Sequence, residues 1–326
     1  MRHRRTVFGL FAAFCLFCAG AAPARAAQNF NDPADVRAIT AIETALATQT
    51  QMSRIIGDYA PNALLEDAYL PAIYHGRTQI YADFVPQLKA IDAPTLHHTM
   101  PELNILSDGR YACAALQLHF NFQLTDGKPV ALSIRQLDAY KKINGRWQVI
   151  EEQISVPSDP KTGMAVLDAP VPVDGPMAWG AAPLPGPAVP PAAAKAQIRG
   201  WLQTTATSTT IAQVEAGYGP GDSELVYDES IPGELRGRQQ IGDHYAPLMN
   251  AVASAAVTFP LFTDDSDGVL GMQMDTQNLR LTMKNGTKLS VSFRQSDCLR
   301  RVGGQWYSVF EMVSYPVDLK TGKSVM

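Results

Sequence analysis

The chain has 326 residues, 46% of them apolar and 18% charged, with a net charge of −4. That is enough apolar material for two ordinary cores. The acidic balance argues against a nucleic-acid or anionic-membrane partner, since both need a basic face.

The N-terminus carries Arg2, His3, Arg4 and Arg5, an apolar run from Val7 to Ala22, and the small-x-small site Ala24-Arg25-Ala26. This is the pattern of a secretory signal peptide over residues 1–26, cut after Ala26, and it predicts a periplasmic or secreted protein. The run is too short to span a bilayer. Cys15 and Cys18 follow Phe14 and Phe17, not the small residue that lipidation requires, so no membrane anchor is expected. Processing leaves Cys113 and Cys298. Two separate, half-buried thiols are the expectation for them, although spacing alone leaves a disulfide open.

Further along, Asp32 reads as a helix cap and Pro33 as a first helical residue. Ile39, Ile42, Leu46 and Ile56 recur at helical spacing behind them. A strand follows, with Leu65 and Asp67 on one face. After Gly76 a second helix carries Ile80, Phe84, Leu88 and Ile91, with Pro86 expected to kink or stop it. Period-two alternation then marks strands over Tyr111 to Gln123, Val130 to Lys142 and Arg146 to Val156, joined by Asp126-Gly127 and Asn144-Gly145 turns. Helices first and strands afterwards predict an α+β domain with an antiparallel sheet, over residues 32–167. Residues 168–191, proline-rich from Pro170 to Pro191, read as an extended linker long enough to let two domains dock side by side.

Residues 192–326 repeat the first domain. Gly145-Arg146-Trp147 and Ser155-Val156-Pro157 return 159 positions later as Gly304-Gln305-Trp306 and Ser314-Tyr315-Pro316, and Lys161-Thr162-Gly163 returns as Lys320-Thr321-Gly322. Arg135-Gln136-Leu137-Asp138 returns as Arg294-Gln295-Ser296-Asp297. Gly76-Arg77-Thr78-Gln79-Ile80 returns 161 positions later as Gly237-Arg238-Gln239-Gln240-Ile241. Matches in one order with so small a drift are a tandem duplication.

The run Arg135 to Trp147, with Ile154-Ser155-Val156-Pro157 and Asp159…Thr162-Gly163 after it, resembles the C-terminal signature of SnoaL-like and ketosteroid-isomerase-like proteins of the nuclear transport factor 2-like superfamily. The resemblance covers both halves. It implies two tandem cone-shaped domains, each a curved antiparallel sheet wrapped against N-terminal helices around a conical pocket. It also implies pairing through the convex side of the sheet, here within one chain as a pseudo-dimer. It implies little about chemistry, because this fold hosts isomerases, cyclases, dehydratases and binding modules.

Candidate site residues come from the face patterns. Leu132, Ile134, Gln136, Asp138 and Tyr140 share a face, as do Val291, Phe293, Gln295, Asp297 and Leu299. An acid facing a core stays protonated unless paired, so Asp138 can donate a hydrogen bond. The plainer reading is that Asp138 and Asp297 tie the sheet together. By the ketosteroid-isomerase pattern Asp67 falls near the base position and Asp138 near the protonated donor. The tyrosine donor of that enzyme has no counterpart around Glu43. On the last strand, Glu151-Glu152-Gln153 and Phe310-Glu311-Met312 stand where many relatives have His-Glu-His. Glu152 and Glu311 are either pocket acids or partners of Arg135 and Arg294.

Histidines differ between the copies. His75, His97, His98 and His119 lie in the first, whereas His244 of the second stands where the first has Asp83. If one pocket transfers protons, the first is favoured, with Asp67, Asp138, Glu152, His97 and His119 as catalytic residues. Glu151, Gln153, Arg135, Gln136, Asp228, Asp297 and Glu311 are then ligand-binding. No nucleophile elbow, phosphate loop or dinucleotide fingerprint is present, and neither a cofactor nor a metal is expected. The favoured function is binding of a small hydrophobic molecule. The competing one is a cofactor-free isomerase, cyclase or dehydratase acting on a cyclic or polyketide-like substrate in the first domain.

Overall fold

The computed structural model describes residues 30–70, 72–171, 175–177, 186–187, 189–219, 223–230 and 234–325. The expected signal peptide and its cleavage site, and parts of the expected linker, lie outside the described residues. The first domain runs α1 (Pro33–Thr48), α2 (Met52–Ile55), β1 (Tyr59–Glu66), β2 (Ile73–His75), α3 (Gly76–Lys89), β3 (His97–Ser107), β4 (Tyr111–Gln123), β5 (Pro129–Ile143) and β6 (Arg146–Ser155). The second repeats this as α4 (Pro191–Thr205), α5 (Ile211–Ala216), β7 (Leu225–Tyr227), β8 (Leu235–Arg236), α6 (Gly237–Ala251), β9 (Val252–Ser266), β10 (Leu270–Met283), β11 (Lys288–Val302) and β12 (Gln305–Ser314).

Both copies are α+β. Each sheet has six strands, ordered β2-β1-β6-β5-β4-β3 in the first and β8-β7-β12-β11-β10-β9 in the second. The expectation of a wholly antiparallel sheet needs one correction, because β1 runs parallel to β6 and β7 to β12. The chain returns to the middle of the sheet only after three antiparallel strands, which leaves β6 pointing the same way as β1. The Asp32 carboxylate accepts the Ala34 N–H at 2.8 Å, as an N-cap should. The single long helix expected to reach Ile56 is instead two, since α1 ends at Thr48 with Gln49 extended. Pro86 does not stop α3, nor Pro247 α6, and both lie inside their helices. At the β5–β6 hairpin, Asn144 (φ 51°) and Gly145 (φ 79°) hold the two left-handed positions of a type I′ turn.

Register assigns every strand residue a face. On β5, Gln136, Asp138 and Tyr140 look into the first cone, while Arg135, Leu137 and Ala139 look out of its back. The two backs pack on each other: Leu64, Leu106, Tyr111 and Leu137 of the first domain share one core with Tyr227, Leu270, Met272, Met274 and Phe310 of the second. The contacts are reciprocal. Arg135 donates to the Asp228 carbonyl, and its repeat equivalent Arg294 donates to the Asp67 carbonyl at 2.5 Å. This is the signature of a pseudo-twofold interface.

Beside that axis Cys113 on β4 and Cys298 on β11 form a disulfide, with Cα atoms 6.2 Å apart. The expectation of two separate thiols is therefore corrected. Cys113 pairs across its sheet with Ala139, the repeat equivalent of Cys298, and Met272 pairs with Cys298. The two cysteines thus sit on non-equivalent strands that only the docking of the domains brings together.

Candidate functional site

Several sequence-predicted residues fall on the shared back and not in a pocket. Arg135, Glu151 and Gln153 alternate with the concave residues and lie on that face. Gln153 donates to Ser314 Oγ at 2.7 Å and accepts from the Ser296 hydroxyl across the interface. Burial, then Asp265 and Asp264 of the other domain, push the Glu151 carboxyl well above the usual range. These three are interface residues, which also corrects the pairing of Glu152 or Glu311 with an arginine, because the arginines point the opposite way. His119 likewise faces the back, its Nδ1 2.8 Å from Ser133 Oγ and 3.8 Å from Asp168. By register His97 shares that side, and only His98, beside Phe120, leans towards the concave one.

Inside the first cone a closed cluster forms. Glu43 of α1, Asp138 of β5 and Glu152 of β6 are each between 0 and 2% exposed. Tyr59 OH donates to Glu152 Oε2 at 2.6 Å, Tyr140 OH donates to Glu43, and Gln136 Nε2 donates to Asp138 at 2.6 Å. Burial, then the neighbouring Glu43 and Glu152, push Asp138 well above the usual carboxylate range; burial lifts Glu152 to about 8 against the Tyr59 hydrogen bond. Burial and their mutual proximity favour the protonated forms of these acids. Asp67 stands apart at the end of β1, with Gln87 Nε2 at 3.3 Å, and is pushed up to about 7 by burial and by Asp83.

The second cone contains a cavity of about 220 Å³. Trp201, Leu279, Leu281, Val291, Phe293 and Val313 form apolar wall, and Tyr218, Tyr245, Asp228 and Glu311 supply polar groups. Tyr218 OH donates to Glu311 Oε2 at 2.7 Å, the repeat of the Tyr59–Glu152 bond. Asp297 lies beneath, accepting from Ser308 Oγ (2.7 Å), Gln273 Nε2 (2.6 Å) and Gln295 Nε2 (2.9 Å) on three strands. It ties the sheet together, and burial sets it at about 6 against those donors.

Asp228 inverts the behaviour of Asp67. It accepts from Ser230 Oγ at 2.7 Å and Tyr245 OH at 3.0 Å, and faces His244 Nε2 at 3.4 Å. Burial would raise its carboxyl, but the His244 and Ser230 hydrogen bonds outweigh it and hold it at about 2. The histidine rises in turn, chiefly through its bond to Asp228. The Asp83-to-His244 difference thus puts a histidine beside the acid that follows the first strand in the second copy. Sequence reasoning missed Tyr59, Tyr218 and Tyr245, and gave Tyr140 no role on the face it shares with Asp138; the signal for the first two was there, since they repeat in step with Glu152 and Glu311.

The His244–Asp228 pair predicts a stability window. An Asp228 pKa below its unfolded value near 3.9 gives a contribution that is complete above about pH 4 and lost as pH falls through 2. A His244 value above 6.5 gives one complete below 6.5 and lost as pH rises through the folded value. Titration of the His244 imidazole by NMR should show the raised pKa, and Asp228→Asn should bring it to 6.5 or lower. An unmoved titration would disprove the pairing.

No protein-family model matches the chain, and no curated protein matches it. Solved structures similar to it include an NTF2-like protein of unknown function from Pseudomonas putida, with 22% identity, 42% of this chain and 94% of that one covered, and a TM-score of 0.37. Another is a ketosteroid isomerase-like protein from Erwinia carotovora atroseptica, at 15% identity, 37% and 91% coverage, and a TM-score of 0.32. A third is an uncharacterised protein with a cystatin-like fold from Caulobacter vibrioides, at 18% identity, 39% and 91% coverage, and a TM-score of 0.32.

Proposed function

We propose that this is an exported binding protein whose second domain holds a small, largely hydrophobic molecule. The observation that carries the reading is the second-domain cavity, with aliphatic and aromatic walls around a few hydrogen-bonding groups, as small-molecule sites are built. Catalysis in the first domain is disfavoured, because Glu43, Asp138 and Glu152 are buried and already accept hydrogen bonds from Tyr140, Gln136 and Tyr59. Export is supported by the signal pattern of residues 1–26 and by a disulfide, which persists in oxidising compartments. A single chain satisfies its own convex pairing, so the active species is proposed to be a monomer.

Native mass spectrometry of protein purified from its own host tests both points at once. The expected result is a single chain beginning at Ala27 and carrying a bound small molecule. Val291→Trp, which fills the cavity wall, should remove that adduct without unfolding the protein. An adduct that survives Val291→Trp places the ligand elsewhere and ends this reading.

A further inference from the structure

The two copies began as one sequence, so differences at equivalent positions record what the second cavity became. Ile42, Ile134 and Val156 of the first domain correspond to Trp201, Phe293 and Tyr315 of the second, and Ala68 corresponds to Glu229. All four of the second-domain residues line the cavity. With Tyr218 and Tyr245 the walls hold six groups of two kinds, aromatic faces and a carboxyl, and Asp228 and Glu311 add two further acids. No lysine or arginine is among the lining residues.

The three acids are not equivalent. Asp228 is saturated by Ser230, Tyr245 and His244. Glu229 receives a long bond from Tyr315 OH, at 3.4 Å, and lies close to its own backbone N–H and to Asp228. Glu311 is 8% exposed, and only its Oε2 is bonded, to Tyr218. Its Oε1 takes no hydrogen bond from any described residue and is not sealed within the protein, so it opens on the cavity that Glu311 lines.

We propose that the second-domain cavity takes an organic cation, an amine or quaternary ammonium group carried on an apolar body. This rests on the binding reading above and names its ligand class. Aromatic faces attract a cation through their quadrupoles, most strongly where water is excluded. The free Glu311 oxygen, with Glu229 beside it, supplies the counter-charge. Burial, then Asp297, push the Glu311 carboxyl well above the usual range, and an arriving cation favours its ionised form. The proton leaves to solvent. The apolar wall of Leu279, Leu281 and Val291 takes the remainder of the molecule. The first cone has aliphatic residues, Ile42, Ile134 and Val156, at three of these positions.

Calorimetric titration of the full mature chain with benzyltrimethylammonium and with its neutral carbon isostere, neopentylbenzene, tests the assignment. The cation is expected to bind about tenfold or more tightly than the isostere, the effect of one desolvated cation–aromatic contact. Glu311→Gln preserves shape and should cut that preference about tenfold. Equal or tighter binding of the isostere overturns the cation assignment and leaves the hydrophobic-binding reading standing. An undiminished preference in Glu311→Gln removes the role of that carboxylate. Binding of neither probe overturns both readings.

Discussion

Replacing Arg294 by methionine is expected to destabilise the protein by about 3–5 kcal/mol, the usual cost of removing one partner from a buried charged contact. Arg294 is buried at the centre of the interface between domains. It donates to the Asp67 carbonyl at 2.5 Å and Ser314 Oγ at 3.0 Å, and its Nε lies 4.0 Å from Glu66 Oε2. Glu66 is fully buried, neither of its oxygens is hydrogen-bonded, and burial pushes it up to about 7 against the pull of Arg294. Without the guanidinium this carboxyl loses its only opposing charge among the described residues, and the Asp67 carbonyl loses its donor from the other domain. Urea unfolding should show the loss, and Arg294→Met combined with Glu66→Leu should recover part of it. A single-variant loss below about 1 kcal/mol would mean that the contact contributes little beyond shape.

The Cys113–Cys298 bond is the second large term. It joins residues 185 positions apart, so in the unfolded chain it closes a very long loop, for which a stabilisation of about 2–4 kcal/mol is typical. Both sulfurs are buried in the core shared by the two domains, so the bond also opposes their separation. The double variant Cys113→Ala, Cys298→Ala should therefore melt several degrees lower and show a broader transition as the domains uncouple. Thiol titration of the unreduced, unfolded wild-type protein should find no reactive thiol from this pair. Two free thiols, or an unchanged melting temperature, would count decisively against the bond as a stabilising link.

Much of the architecture was legible because it is local. The Asp32 cap, the Asn144-Gly145 turn and the alternation along β4, β5 and β6 each depend on a few adjacent residues, whose chemistry fixes backbone angles or a period of two. The same alternation placed Asp138 and Asp297 on the concave side correctly. At β6 the expectation put Glu151 and Gln153 in the pocket as ligand-binding neighbours of Glu152, although neighbours on a strand face opposite ways. Glu152 entered the cone, and its two neighbours entered the interface.

By itself, then, the sequence determined that this chain is two copies of one α+β unit, where β4, β5 and β6 lie and which of their residues alternate together, since repeat, turn and period are properties of contiguous chain. Only the tertiary structure decided which acids are sealed, which cysteines meet and what lines the second cone's cavity. Those outcomes turn on side chains from distant segments: Glu43 reaching Asp138 from α1, His244 in place of Asp83 beside the acid after the first strand, Cys298 carried to Cys113 by the docking of two sheets. A carboxyl's charge and a cavity's shape depend on everything that packs around them, and in this fold those neighbours are far apart in sequence.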